Sequence, residues 1–525
     1  MHSGELYIVL DSPVHRTGDL AKIYVLASGG EQTSVNLEIR DYKGVLAYIN
    51  LSVKPGERVI HSLEFQVPKI PGKYELLLVN NGEVYDKVSY RVIEENEFPV
   101  EKYVVFTWHN HQAPNYLPSG KYYFPWAFKH VYENELAPYG RGPYHYHALI
   151  LEKFPNYKCT YNLSPSLLAQ WIELIDKGVV FVDGGSIDKS SPEANIVKET
   201  LELYRKSALS GQIEVLTSIY AHTIAGYIIE YLGAEDIIRE EVEYGIEITR
   251  SVIGLEPRGI WTPEMAFTMK LVDIYSDLGL TYTILDQKCH LEKSIGDKSN
   301  HLEPYLVKGS KGELIVFFRD TDLSNHVSFK NNFRSELHAW KSAYELAYKI
   351  IEKLETRGVL TIALDGENWM IFAKSPPLTA YFYSRLVEYL VKIQETGYLK
   401  TTNHRELIDK WTPRRTLKHV PTTTWLCSFT KWHGEVKEHH DYWERAKRAY
   451  SLIKEYEEKY GKNEKSKQAR RALWHSLDSD YWWAEFWESK IIDIWLCEVY
   501  KQLEVGETYC RVEKHECIFT HSYYK

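Results

Sequence analysis

The stretch VVFTWHNHQAP, residues 104–114, begins as an apolar, β-branched and aromatic run and ends in His109, His111 and Gln112. Such a run reads as a strand buried on both faces. Residues two apart in a strand point the same way, so His109 and His111 share one side at its end. The same grammar recurs downstream in YKCTYNL, IEVLTSIY, GIWTP, TYTILD, LIVFFRD and VLTIALD. Helical stretches separate these runs, among them SLLAQWIELIDK, EDIIREEVEYGIEITRSVI and SELHAWKSAYELAYKIIEKLETRG. Strands alternating with helices imply an α/β fold with parallel strands and helices outside. Seven strong runs point to an incomplete (β/α)7 barrel or a large open sheet, with GVVFVDGG (178–185) as a weaker eighth candidate.

The flanks read differently. Residues 1–98 hold short strands between turn signals, ELYIVL, AKIYVLA, VNLEIRD, RVIHSLEFQV, GKYELLLV and KVSYRVI, the pattern of an immunoglobulin-like β-sandwich. That segment has no Trp, which favours a structural or docking role over sugar binding. The acidic EENEFPVEK reads as a linker. The barrel is expected over 99–400. Residues 401–525 read as an α-helical domain completing the cleft, with helices over YWERAKRAYSLIKEYEEKYGK, EKSKQARRALWHSL and EFWESKIIDIWLCEVYKQL. Eight of the fifteen tryptophans fall between Trp425 and Trp495, dense even for a helical core.

A chain of 525 residues exceeds one core. Its net charge of −9 argues against a nucleic-acid partner. The N-terminus shows no signal-peptide pattern, and no apolar stretch is long enough to cross a bilayer, so a cytoplasmic protein without a membrane partner is expected. The six cysteines lack CxxC spacing, which disfavours structural zinc; Cys510 and Cys517 alone are close enough in sequence to invite pairing. Oligomeric state is not legible.

Active sites of βα barrels lie at the C-terminal strand ends. The residues found there are His109 and His111, Tyr220 and His222, Trp261 and Glu264, Asp286, Asp320 and Asp322, and Asp365 and Glu367. A single strand-end acid is usually a helix cap; a whole ring of polar ends marks a pocket. Three uses are open. His109, His111, His222 and Asp365 could hold zinc in a metal-dependent hydrolase. Two carboxylates could flank a glycosidic bond, with indoles stacking on sugar rings. Or the chain could bind glycan without turnover. Carbohydrate chemistry is favoured, because the pocket holds more aromatics and carboxylates than a compact metal site needs.

Four motifs, HNHQAP (109–114), GQIEVLTSIYAHTI (211–224), GIWTPEMAF (259–267) and ALDGENW (363–369), resemble in this order the conserved regions of glycoside hydrolase family 57, in its amylopullulanase and α-amylase branch. YNLSPSLLAQ and VFFRDTDLSNHVSF resemble intervening segments, and the likeness spans about 103–500. The resemblance implies a seven-stranded barrel followed by helices. It also implies retaining cleavage of α-glucosidic bonds in an α-glucan or maltooligosaccharide, with no metal or other cofactor. Transfer to a sugar hydroxyl, as in a 4-α-glucanotransferase or branching enzyme, would use the same site.

By the same resemblance Glu264 takes the nucleophile's place and Asp365 that of the general acid/base, while His109, His111, Glu214, His222, Trp261 and Glu367 line the subsite around the cleaved bond. Trp432, in a retained W-x-G-E element with Gly434 and Glu435, is a candidate stacking residue. Ala113, and Thr223 where Pro is common, depart from the family pattern. Each assignment competes with a plainer one: a first-turn helix acid for Glu264, a turn former for Asp365, an edge residue for Glu214, and core packing for His222 and Trp432.

Overall fold

The structure is a computed structural model that describes residues 4–30, 33–94, 101–505 and 510. The linker's residues 95–100 lie outside the described residues.

The described residues between 5 and 93 form two sheets with buried apolar residues on both, one antiparallel and the other antiparallel except where Val14–Arg16 runs parallel to Glu83–Ile93. One sheet has Glu5–Leu10, Leu20–Ser28 and Arg58–Gln66; the other has Val14–Arg16, Glu83–Ile93, Gly72–Asn80, Thr33–Asp41 and Gly44–Val53. Asn81 and Gly82 both take positive φ (49° and 80°), the backbone a tight two-residue hairpin needs. Val14–Arg16 and Gly44–Val53 went unread in the sequence. The first is too short to show a period, and the second is an edge strand whose outer half is exposed.

The seven barrel strands are β1 (Lys102–Asn110), β2 (Cys159–Leu163), β3 (Ile213–Ser218), β4 (Gly259–Trp261), β5 (Tyr282–Asp286), β6 (Glu313–Arg319) and β7 (Gly358–Asp365). They match the seven strong runs one for one. Each pairs in parallel with its neighbours in chain order, and β7 pairs with β1, so the sheet closes. Four strands, β2 to β5, are buried along their whole length, as continuous apolar runs imply. Ser164, just past β2, caps the helix Pro165–Lys177 by accepting from the Leu167 N–H.

Two expectations change. GVVFVDGG supplies only Val179–Val180, which pairs with Ser186–Ile187 in a two-stranded ribbon outside the barrel. The barrel's sheet also reaches past residue 400: Lys400–Thr401 pairs with β1, and Arg415–His419 pairs with Tyr305–Lys308 beside β6. Helices then follow at His439–Tyr460, Glu464–Ser476 and Ser489–Gln502. Cys510 bonds to Cys497, and a second disulfide joins Cys289 to Cys427; Cys517 lies outside the described residues. Among the described residues no helix is long and apolar enough to cross a membrane.

Candidate active site

The C-terminal strand ends open into a cavity of about 470 Å³, ordinary for a small-ligand site. The barrel contributes His109, His111, His222, Trp261, Glu264, Arg319, Asp365 and Glu367 to its wall. The far wall comes from later in the chain, with Trp425, Asp480, Trp483 and Phe486. Four non-glycine residues with positive φ gather in these segments: His222 (56°), Glu264 (55°), Met265 (49°) and Cys427 (61°). Backbone strain of this kind collects at functional sites.

The imidazoles form a buried, oriented chain. The Asn162 amide nitrogen donates to the carbonyls of Leu216 and Thr217, which turns its oxygen toward His109 Nδ1 at 2.7 Å. His109 therefore carries its proton on Nδ1, and its Nε2 accepts from His222 Nε2 at 3.0 Å. His222 Nδ1 then accepts from the Ser479 hydroxyl at 2.8 Å. His109 also stacks on Trp261 with ring centres 4.7 Å apart. His111 Nδ1 meets Ser164 Oγ at 2.9 Å, and its Nε2 lies 3.3 Å from Asp480. Burial lowers the pKa of all three histidines, so they are neutral at pH 7.

The carboxyls are held differently. Glu264 Oε2 accepts from the Trp425 indole N–H at 2.8 Å, and Oε1 faces the Ser479 hydroxyl at 3.4 Å. Burial pushes Glu264 up to about 8; the indole bond opposes this, and the negative charges of Asp480 and Asp365 add to it. Asp365 ends β7 exposed to the cavity and accepts from the Asn368 amide at 3.0 Å. Gly366 must be glycine, since a Cβ there would sit 1.8 Å from Asn110 Oδ1. Glu367 is 3% exposed, and burial, then the charge of Asp365, holds it well above the usual carboxylate range. Arg319 is fixed by Asp286 (Nε to Oδ2, 2.8 Å) and the Ala363 carbonyl, with its guanidinium over the Trp425 ring.

The family model of glycosyl hydrolase family 57 matches residues 105–423, more than half of the chain. The chain belongs to glycosyl hydrolase family 57. An α-amylase of Pyrococcus horikoshii is 23% identical over 324 residues, 61% of this chain and 42% of its own length. A 4-α-glucanotransferase of Thermococcus litoralis is 22% identical over 339 residues, covering 64% of this chain and 42% of its own length. The chain thus spans less than half the length of these relatives. Among solved structures, a family 57 branching enzyme from P. horikoshii superposes with a TM-score of 0.56 at 17% identity, covering 77% of this chain and 88% of that one. An α-amylase from Thermotoga maritima gives 0.55 at 14% identity over 78% and 96%.

Within this family 57 cleft two expected residues are missing. Glu214 is the second residue of β3, so it emerges at the N-terminal end of the barrel, where it accepts from the Tyr282 hydroxyl and lies 3.7 Å from Arg405. Trp432 is wholly buried behind the cleft, its ring edge-on to Trp483 at 4.9 Å. The strand-end acids also divide. Asp286 and Asp320 cap helices and pair with Arg319 and with His301 and Lys353, while Asp322 meets Lys288 at the surface.

The metal set anticipated in the sequence is not assembled either. Among the described residues the potential ligands that do converge are His111, His222, Asp478 and Asp480, with ligand atoms within 4.8 Å of one another. The His111 and His222 rings stack 3.9 Å apart at 15° and both face Asp480. Trp425, Asp480, Trp483 and Phe486 escaped sequence reading as individuals. The signal for them was regional: TTTWLCSFTKWHGEVKEHHDYW (422–443) loosely matches the family segment that closes the site, and DSDYWWAEFW (478–487) resembles an aromatic segment near the cleft.

Proposed function

We propose that this chain is a retaining α-glucan-active enzyme that cleaves α-1,4 glucosidic bonds, and α-1,6 bonds where the cleft admits a branch. The observation that carries this reading is that Glu264, Asp365 and Glu367 line one indole-walled cavity. Glu264 attacks the anomeric carbon while Asp365 protonates the departing oxygen; Asp365 then takes a proton from water as the glycosyl–Glu264 bond breaks. The Trp425 indole N–H favours the ionised Glu264 that attack requires. Glu367, neutral by its burial, can donate to a sugar oxygen.

In this reading residues 1–98 are an immunoglobulin-like accessory sandwich, 99–400 the catalytic barrel, and 401–525 the part that adds two short strands to the barrel's sheet and then closes the cleft with helices. A second reading, transfer to a sugar acceptor, is supported by relatives of both kinds matching at nearly equal identity, 23% and 22%. Products from maltoheptaose, amylopectin and pullulan separate the two: shorter chains alone mean hydrolysis, longer or newly branched ones mean transfer. Trapping with a mechanism-based fluoroglycoside tests both, since a sugar adduct on any residue but Glu264 would refute the mechanism.

A further inference from the structure

The segment that follows the barrel crosses back over Glu264 and is tied down beside it. The Trp425 backbone N–H donates to the Glu264 carbonyl at 3.1 Å, and its indole N–H donates to the Glu264 carboxyl at 2.8 Å. One tryptophan therefore grips both the main chain and the side chain of a residue whose own φ is +55°. Two residues later Cys427, itself at φ +61°, is bonded to Cys289, which follows β5 and is 138 residues away in sequence. The Cys289 sulfur also touches the Trp425 carbonyl at 3.2 Å. A loop of this kind would otherwise be free to lift away from the barrel.

We propose that Trp425 is a positioning residue for Glu264, and that the Cys289–Cys427 disulfide is the anchor that keeps its indole on the carboxyl. The proposal rests on Glu264 being the nucleophile only for its effect on turnover; the contact itself does not depend on that. A carboxylate with an N–H aimed at one oxygen presents the other to the anomeric carbon. The same bond favours the ionised form against burial and against the charges that face Glu264, Asp365 from β7 and Asp478 and Asp480 from the far wall, with Arg319 the cation in the cavity wall.

The test compares Trp425→Phe, which keeps an aromatic ring but loses the N–H, with the double variant Cys289→Ser/Cys427→Ser. Difference infrared spectroscopy with isotope-labelled Glu follows the Glu264 titration without substrate, and Glu264→Gln assigns the band. Trp425→Phe should move that titration upward by about one pH unit, the worth of one hydrogen bond to a charge. It should lower kcat about tenfold and move KM less than threefold. The serine pair should move the titration in the same direction. If the serine pair does not fold, folded wild-type enzyme whose bridge has been reduced and alkylated gives the same reading. An unmoved titration with a raised KM in Trp425→Phe would make Trp425 a sugar-stacking wall and overturn the proposal. A shift in Trp425→Phe with none in the unbridged protein would overturn the anchor. Turnover by Glu264→Gln would sink the nucleophile reading alone, because the titration is read without catalysis.

Discussion

Glu264 accepts from the Trp425 indole with its backbone in the left-handed region, and burial raises its carboxyl to about 8. An unfolded Glu titrates near 4.3, so between those values the folded state holds a proton that the unfolded chain releases. The stability from this group is complete below about 4.3, falls as pH rises, and is gone above about 8. Glu264→Gln removes that dependence. Its melting temperature relative to wild type should therefore climb from pH 5 to pH 8.5, and a flat difference in calorimetry would contradict the buried-acid account. The acidic limb of kcat/KM reports the same group in the free enzyme. It should centre near 8 and vanish from kcat if substrate restores ionisation. Glu367 offers a separate check. Since it is held protonated, an amide can imitate it: Glu367→Gln should keep activity within about tenfold, whereas Glu367→Ala should lose another tenfold or more in kcat/KM. Equal losses would mean the carboxyl works ionised. The motif was enough to nominate both acids, but their protonation states arise from walls built by distant segments.

The turn after β3 shows how an element holds a strained residue. His222 has φ +56°, and its flanks are tied to Glu241 on the helix Glu235–Ile253: the Ala221 N–H donates at 2.9 Å and the Thr223 hydroxyl at 2.7 Å. Thr223, a departure from the family pattern, thus earns a role as a clamp. Glu241→Ala should cost about 1–3 kcal/mol in chemical denaturation and lower kcat through a displaced His222. Loss of stability with unchanged kcat would confine Glu241 to the core. At the mouth Phe372 and Phe486 are 68% and 62% exposed, and their rings stack 6.4 Å apart. Exposed aromatic faces suit sugar rings beyond the cleaved bond. Phe372→Ala/Phe486→Ala should raise KM for long glucans about tenfold while leaving a short aryl glycoside nearly unchanged; equal effects on both would place these rings at the reacting centre instead. Strand runs were legible because burial on both faces writes an unbroken apolar word. The mouth was not, because an exposed Phe looks like any other in sequence.

At the scale of the molecule, the N-terminal sheets are bound to the barrel's outer helices. Lys341, buried on the helix Glu336–Lys353, reaches across to Asp86 at 2.8 Å and to the carbonyls of Ile8 and Lys87. Tyr344 and Tyr389 donate to the carbonyls of Ser89 and Leu10. Among the described residues of these sheets none lines the active-site cavity. Asp86→Ala strands a buried ammonium and should destabilise by about 3 kcal/mol, with KM for soluble oligosaccharide unmoved. A raised KM at intact stability would make the sheets part of substrate binding. The lack of Trp did not mean a lack of exposed aromatics, for Tyr42 and Tyr48 are 60% and 77% exposed; their affinity for insoluble starch is measurable by pull-down with the double alanine variant.

Sequence alone determined the seven strands and the residues His109, His111, His222, Trp261, Glu264, Asp365 and Glu367 at or just past their ends, while their closure into a full barrel, where an incomplete barrel or open sheet was expected, came from the pairing of β7 with β1. Period and burial act locally, and a closed parallel barrel sends every strand's last residues to one place. Register within a strand decided the failure of Glu214, since a polar residue at a strand's start leaves by the opposite end. Only the tertiary structure decided the far wall, the pairing of Cys289 with Cys427, and the grip of Trp425 on Glu264. Those contacts join residues more than a hundred positions apart, and no local pattern records which indole will lie over which acid.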